Sequence, residues 1–134
     1  MLSTHAVTIP DSGVPEVEYS ATARTQSITA ALTRHAVTRA NESALSFEVD
    51  SITFVNLELA VKRLSAHLLE RVERGAQIAL YLPNSPALVL FFLAGTRAGC
   101  EVQVFDREWP EVTVNELLVK LSPSLLICES VVNK

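Results

Sequence analysis

The chain has 134 residues, enough for one domain that buries a core of its own. Hydrophobic residues make up 49% and charged residues 19%, with a formal net charge of −4. Acidic and basic residues are mixed along the chain without a basic stripe, so we predict that it does not bind nucleic acid. The longest apolar run, residues 87–95, is far shorter than the roughly 20 residues of a membrane span, so none is predicted.

Two features bear on the compartment. Residues 1–10 lack the charged and apolar regions of a secretory signal, which favours a cytoplasmic protein. The cysteines, Cys100 and Cys128, lie in or beside predicted strands, which favours reduced and buried thiols. A Cys100–Cys128 disulfide is the minor alternative, because the two strands could be neighbours.

The N-terminal part divides into an arm and a helix. Residues 1–25 are rich in Ser, Thr, Pro and Ala without periodicity, and predict a flexible N-terminal arm. We place the folded unit at residues 26–130 and a short tail at 131–134. Ser27 is a good N-cap for a surface helix that runs to about Arg39.

A hairpin and an amphipathic helix follow. Residues 44–48 and 51–54 flank Val49-Asp50 and predict two short antiparallel strands. Thr53 is placed to cap the next helix, which Gly75 ends. Its apolar stripe has helical spacing: Leu57, Val61, Leu64, Leu68 and Val72.

The most apolar part of the chain is residues 77–99. Residues 77–82 predict a strand, Pro83-Asn84 a turn, and Ser85-Pro86 a cap followed by proline at the first helical position. The helix that follows is apolar on almost every face up to the stop at Gly99. Such a helix is expected to be buried on most sides, which requires more protein around it.

The remaining elements complete an alternating pattern. Residues 101–105 predict a strand, Thr113 to Glu116 fit a capping box before a short helix, and residues 125–128 predict an apolar strand. We therefore predict an α/β fold with a short parallel sheet and flanking helices, a partial Rossmann-like unit preceded by a helix and a β-hairpin.

Candidate chemical groups are sparse. The four glycines form neither G-x-x-x-x-G-K-[ST] nor G-x-G-x-x-G, so no independent phosphate-binding loop is encoded. Each candidate side chain has a more ordinary explanation. The histidines are scattered, with His5 in the arm and His35 and His67 on helix surfaces, and Asp106 is expected to cap a helix or loop at the sheet edge. Cys100 and Cys128 are expected to be packed thiols, and Trp109 is either a contact residue or a cover for the end of the sheet. We predict no catalytic, cofactor-binding or metal-binding residue in this chain.

The ordered motifs carry a family resemblance. They comprise Ile52-Thr-Phe-Val-Asn-Leu57, Arg63-Leu-Ser-Ala66, Ile78-Ala-Leu-Tyr-Leu-Pro-Asn-Ser-Pro86, Leu93-Ala-Gly95 and Arg97-Ala-Gly99, followed by residues 104–106 and 125–128. Together they resemble the start of the acyl-adenylate-forming, or AMP-binding, ligase superfamily, which includes acyl-CoA synthetases, nonribosomal-peptide adenylation domains and firefly luciferase. The resemblance covers about residues 27–129 and implies the N-terminal subdomain of that fold.

The chain departs from the family pattern in three places. Arg74-Gly-Ala-Gln77 stands where a Gly-Asp pair is common, and Gln103-Val-Phe-Asp106 replaces a proline-containing loop. The chain also stops before the Ser/Thr/Gly-rich phosphate loop and the C-terminal domain with its lysine. The family uses ATP and Mg²⁺ to join a carboxylate to AMP and then passes the acyl group to a thiol. The resemblance therefore implies those cofactors for the family and none bound by this chain alone.

Three interpretations follow. The leading one is a truncated or split N-terminal subdomain of an AMP-forming acyl ligase, inert alone, that self-associates or binds a complementary ligase polypeptide through uncovered edges. The alternative is a free-standing, non-catalytic interaction or regulatory module derived from that scaffold. A third is a small flavodoxin-like protein that binds a mononucleotide at the carboxyl ends of its strands.

Overall fold

The computed structural model describes residues 27–129, which form an α/β fold with two small sheets. The helices are α1 (Ile28–Thr38), α2 (Phe54–Leu69), α3 (Pro86–Arg97) and α4 (Glu111–Leu121); the strands are β1 (Ser43–Phe47), β2 (Asp50–Thr53), β3 (Gln77–Tyr81), β4 (Glu101–Val104) and β5 (Leu125–Cys128). Strands β1 and β2 pair antiparallel, and the parallel sheet has the order β4-β3-β5. The predicted fold class is confirmed.

Strand β3 is the centre of the parallel sheet and separates two apolar clusters. Ile78 and Leu80, 1% and 0% exposed, pack among residues of α2 and α3. Ala79 points the other way and packs with Phe105 and Val114 of the α4 side. Since side chains alternate between the two faces of a strand, one five-residue segment contributes to both layers of the core.

Helix α2 begins where the sequence predicts and ends earlier. The Thr53 hydroxyl accepts a hydrogen bond from the Asn56 N–H at 3.3 Å, which confirms the predicted cap. The backbone N–H groups of Arg71 and Val72 both turn back to the carbonyl of Leu68, at 2.9 Å each, and close the helix. The prediction that this helix continues to Gly75 is wrong, and Val72 contributes to the core from outside the helix.

Gly75 instead serves the loop before β3. Its φ of 85° lies in the left-handed region that glycine adopts without strain. Its N–H donates to the carbonyl of Gly99 at 2.8 Å, so this turn is tied to the one before β4.

The hairpin turn is one residue earlier than predicted. Asp50 pairs with Phe47 in the ladder, so Glu48 and Val49 form the turn instead of Val49 and Asp50. Glu48 adopts a φ of 54°, the left-handed conformation that glycine usually supplies in such turns. Because this turn has no glycine, Glu48 adopts the strained left-handed conformation instead.

Helix α4 contradicts the predicted capping box. The helix starts at Glu111 with Pro110 at the cap position, and no side chain provides a capping hydrogen bond. Thr113 therefore lies inside the first turn. The proline carbonyl accepts from the Val114 N–H at 3.1 Å, which starts the helical hydrogen bonds before Thr113 is reached. The helix ends at Ser122, which adopts a left-handed φ of 44°.

Helix α3 is capped as predicted and is half-buried over most of its length within the described residues. The Ser85 hydroxyl accepts from the Leu88 N–H at 3.3 Å, and Pro86 is the first helical residue. Only Leu93, Ala94 and Gly95 are buried, while residues 88–92 are half-buried and Ala87 is exposed. Full burial of α3 was expected only with more protein around it, and that expectation stays a prediction.

The sheet order settles the cysteine alternatives. Strands β4 and β5 lie on opposite sides of β3, which keeps Cys100 and Cys128 apart, and both thiols are free. The disulfide alternative is therefore wrong. Cys128 is exposed, so the expectation of a buried thiol also fails at that position. Within residues 27–129, no helix is both long and apolar enough to cross a bilayer.

Candidate functional site

A binding site is expected at the carboxyl edge of the parallel sheet, because open α/β sheets bind ligands at the carboxyl ends of their strands. A cleft of about 560 Å³ lies there, between the loop that follows β3 and the loop that follows β4. Its polar side chains are Asn84, Asp106, Arg107 and Glu108, and Trp109 forms part of its wall.

Asp106, the edge residue singled out from the sequence, is engaged by its own loop. Its Oδ1 accepts a hydrogen bond from the Glu108 N–H at 2.8 Å. Its carbonyl accepts from the Trp109 N–H at 3.2 Å. This is the geometry of a turn stabilised by an aspartate side chain, and it explains the residue type at this position without a ligand.

The other two prominent side chains of the cleft are also held by neighbours. The Trp109 ring packs against Phe105 with centroids 6.0 Å apart and covers the end of the sheet, with 38% of the residue still exposed. The Arg107 guanidinium lies 5.2 Å from the centroid of the Tyr81 ring and donates to Glu129 Oε2 at 3.1 Å. The cleft is therefore a cavity with one cationic side chain, Arg107, which already contacts Tyr81 and Glu129.

The histidines do not converge on a site. His67 is exposed on α2, with Nδ1 3.6 Å from the Glu70 carboxylate. His35 lies on α1 and packs against Phe54 with ring centroids 5.2 Å apart. His5 lies outside the described residues. Among residues 27–129, no three His, Cys, Asp or Glu side chains are close enough to hold a metal ion.

The thiol of Cys100 is in surroundings that suppress its reactivity. Burial raises the pKa of the Cys100 thiol, and the positive charge of Arg74 only partly opposes that change. Its Sγ lies 3.8 Å from the carbonyl oxygen of Glu73, within reach of a weak S–H hydrogen bond. A nucleophilic cysteine needs the opposite shift, toward the thiolate.

The structure adds one polar cluster that the sequence reasoning missed. Glu58 of α2 and Arg97 of α3 form an ion pair with side chains 6% and 18% exposed. A signal was present, since Glu58 stands between Leu57 and Val61 on the apolar stripe of α2, where a charge requires a partner. This cluster lies among helices away from the cleft and has a packing role.

Taken together, the described residues provide a cleft and apolar surfaces without a nucleophile paired with a base. Solved structures share this fold. The N-terminal subdomain of Klebsiella oxytoca NpsA, solved in complex with 3-hydroxyanthranilyl-AMSN, superposes with a TM-score of 0.73 at 23% identity, covering 79% of this chain and 28% of that one. A Rhodopseudomonas palustris protein described as a long-chain-fatty-acid CoA ligase gives 0.73 at 16% identity, covering 77% and 26%. At these identities the likeness concerns the fold alone.

Sequence comparison supplies the family. The family model described as AMP-binding enzyme matches residues 32–134. The chain belongs to the AMP-binding enzyme family. A stretch of 73 residues is 36% identical to acetyl-coenzyme A synthetase of Emericella nidulans, covering 49% of this chain and 11% of that enzyme. The chain thus spans a small part of the length of these relatives.

Proposed function

We propose that this chain is the opening segment of the N-terminal subdomain of an AMP-forming acyl ligase, of the acyl-CoA synthetase or adenylation-domain type. The observation that carries the proposal is the family match over residues 32–134, together with the order β3-α3-β4-α4-β5 in a parallel sheet. In the proposed enzyme, ATP and a carboxylic acid yield an acyl-adenylate and pyrophosphate, and the acyl group then passes to a thiol.

The role of this segment in that reaction is structural. No phosphate-binding glycine motif occurs in the sequence, and Asp106 and Arg107 of the carboxyl-edge cleft form hydrogen bonds with neighbouring residues. We therefore assign no catalytic, nucleotide-binding or metal-binding residue to this chain, and expect it to be inert when alone. ATP and Mg²⁺ would be bound by parts of the ligase that these residues support.

The surfaces that would meet those parts are the outer edge of β5 and the open flank of α3. Strand β5 pairs only with β3 among the described residues, and its side chains Leu126 and Cys128 are exposed. An apolar strand edge without charged residues is a template for another strand. A complementary ligase polypeptide, or a second copy of this chain when that polypeptide is absent, would pair with the outer edge of β5.

The test is ATP–pyrophosphate exchange with a panel of carboxylic acids. The chain is assayed alone and after co-expression with a relative's ligase polypeptide that lacks the segment equivalent to residues 27–129. We expect no exchange from the chain alone and exchange from the co-expressed pair. Exchange by the chain alone, in preparations free of host ligase, would contradict the proposed division of roles.

A matched pair of variants makes the complementation specific. Leu126→Lys places a charge on the open edge strand, whereas Val119→Lys places the same charge on the outer surface of α4, where Val119 is 80% exposed. The first change should weaken complementation and the second should not. A complex that forms through β5 without any exchange would instead favour the non-catalytic interaction module.

A further inference from the structure

The carboxyl-edge cleft lies at the point where the chain changes sides of the parallel sheet. Helix α3, which follows β3, packs on the face of Ile78 and Leu80, whereas α4, which follows β4, packs on the face of Ala79. Strands β3 and β4 are neighbours, so the loops that leave them diverge toward opposite faces. A crevice opens at such a switch point, and this is where open α/β sheets bind small ligands.

The cleft has the size and the walls of a small-molecule site. Its volume of about 560 Å³ falls within the range of about 300–1,000 Å³ that is typical of ligand pockets. Leu82 and Leu88 form one side, and Phe105 and Trp109 form the other. Because 38% of Trp109 is exposed, its indole can contact a ligand in the cleft. A flat aromatic ring complements walls of this kind.

The charges that line the cleft disfavour an anionic ligand. Arg107 donates to Glu129 at 3.1 Å, so its positive charge is already paired. The other charged lining residues are Asp106 and Glu108, and within residues 27–129 neither forms an ion pair. A phosphate, including that of a mononucleotide, would therefore meet two negative charges, whereas a cation would be attracted by them.

The first turn of α3, which borders the cleft, does not offset these charges. Free backbone N–H groups at a helix N-terminus are what binds anions. Pro86 has no N–H, and the N–H groups of Leu88 and Val89 donate to the hydroxyl and the carbonyl of Ser85, at 3.3 and 3.4 Å. Few N–H groups of this turn are therefore left for an anion.

Carboxylate oxygens of the cleft remain able to accept hydrogen bonds. Asp106 Oδ1 accepts from the Glu108 N–H at 2.8 Å, which holds the loop in place. Among the described residues, Asp106 Oδ2 and the Glu108 carboxylate have no such partner. An ammonium or amidinium group is the donor that carboxylates bind most strongly, because both partners are charged.

We propose that the cleft binds a small aromatic cation, with its ring against Trp109 and its amine or amidine group hydrogen-bonded to the carboxylates of Asp106 and Glu108. This binding site goes beyond the proposed ligase function and does not depend on it, since that function assigns no ligand to the cleft.

Benzamidine, a planar aromatic cation, is the probe that tests the proposal in the full chain. Trp109 is the only tryptophan of the sequence, so tryptophan fluorescence reports on this cleft. We expect a saturable change in emission with benzamidine and none at the same concentrations of benzoate, which has a similar size and the opposite charge. An equal or larger response to benzoate, or no saturable response to benzamidine, would overturn the proposal.

Charge-removing variants make the test specific. Glu108→Gln keeps the backbone N–H that Asp106 accepts from, so the loop should be preserved while benzamidine binding weakens. Asp106→Asn/Glu108→Gln, which removes both charges, should weaken binding about fivefold, in keeping with two partly exposed ion pairs. The matched control is Glu116→Gln, which changes the net charge equally on the outer surface of α4.

The control variant should bind benzamidine as the unchanged chain does. Equal affinities of Glu108→Gln and Glu116→Gln would show that the carboxylates of the cleft do not hold the cation, and would refute the proposal. Dispersed amide signals of ¹⁵N-labelled protein establish that each variant is folded. Neither measurement involves pyrophosphate exchange, so this test and the ligase test fail separately.

Discussion

Arg97 of α3 and Glu58 of α2 form an ion pair in which 18% and 6% of the side chains remain exposed. The other terminal nitrogen of the same guanidinium donates to the Thr29 carbonyl and the Thr33 hydroxyl of α1, both at 3.0 Å. One side chain therefore joins three helices, and the pairing spans residues 39 positions apart in sequence.

Loss of Arg97 should destabilise the protein strongly. Arg97→Ala leaves Glu58 as a buried charge without its partner, and such changes reduce the free energy of unfolding by about 3–5 kcal/mol. Urea denaturation measures the effect. Arg39→Ala is the control, because the Arg39–Glu42 pair is exposed and its removal should change stability little. Equal losses from the two variants would refute a special role for Arg97.

Gly95 should not tolerate a methyl group. A Cβ at this position would lie 2.7 Å from Cγ2 of Val102, which is too close without movement of α3 or β4. Gly95→Ala should therefore cost about 1–3 kcal/mol of stability, as overpacked cores do. Val102→Ala removes the obstructing atom, so the double variant should be more stable than the sum of the single effects predicts. Strict additivity in thermal or urea unfolding would show that the contact is not limiting.

The two cysteines should differ in reactivity and in pH dependence. Burial raises the pKa of Cys100, so less thiolate is present at a given pH and alkylation by iodoacetamide should be slow. Its rate should rise with pH and reach half its maximum above the pKa of free cysteine. Cys128 is exposed and should react faster. Mass spectrometry of modified peptides gives both rates, and denaturation in urea should make them equal. Faster reaction at Cys100 in the folded protein would contradict the structure.

The same shift has a small effect on stability, with a definite sign. Because the pKa of Cys100 is higher in the folded chain than in the unfolded chain, the unfolded state loses its proton first as the pH rises. This contribution to stability is complete below the unfolded pKa and is lost as the pH rises through the folded pKa. Cys100→Ser should remove that part of the alkaline loss of stability in unfolding experiments between neutral and alkaline pH.

The open edge of β5 should govern association. Light scattering on the purified chain is expected to give a molar mass above that of the monomer, because an uncharged strand edge and exposed apolar side chains favour self-association when no complementary polypeptide is present. Leu126→Lys should reduce the associated fraction, and Val119→Lys should not. A monomer at every concentration would exclude edge pairing between copies.

The local elements of this protein could be predicted because their signals are local. Thr53, Ser85-Pro86 and Gly99 act on the hydrogen bonds within a few residues of themselves, so they set where α2 and α3 begin and where α3 ends. The alternation of strands and helices after residue 77 predicts a parallel sheet, because a helix between two strands returns the chain to the end of the sheet where the first strand began. The sequence misplaced the boundaries at Val72, Asp50 and Thr113. Each depends on which of several backbone hydrogen bonds forms, and the sequence pattern does not determine that choice.

Tertiary structure decided everything that depends on pairs distant in sequence. The sheet order β4-β3-β5 separates Cys100 from Cys128, and the packing of α2 on α3 brings Glu58 to Arg97. The same packing leaves an apolar groove of about 430 Å³ between α1, the hairpin, α2 and α3. Hydrophobic periodicity specifies which face of an element is buried, but the hydrophobic effect is non-directional and does not select the element that covers that face. Which elements meet on that face is determined only when the layers assemble.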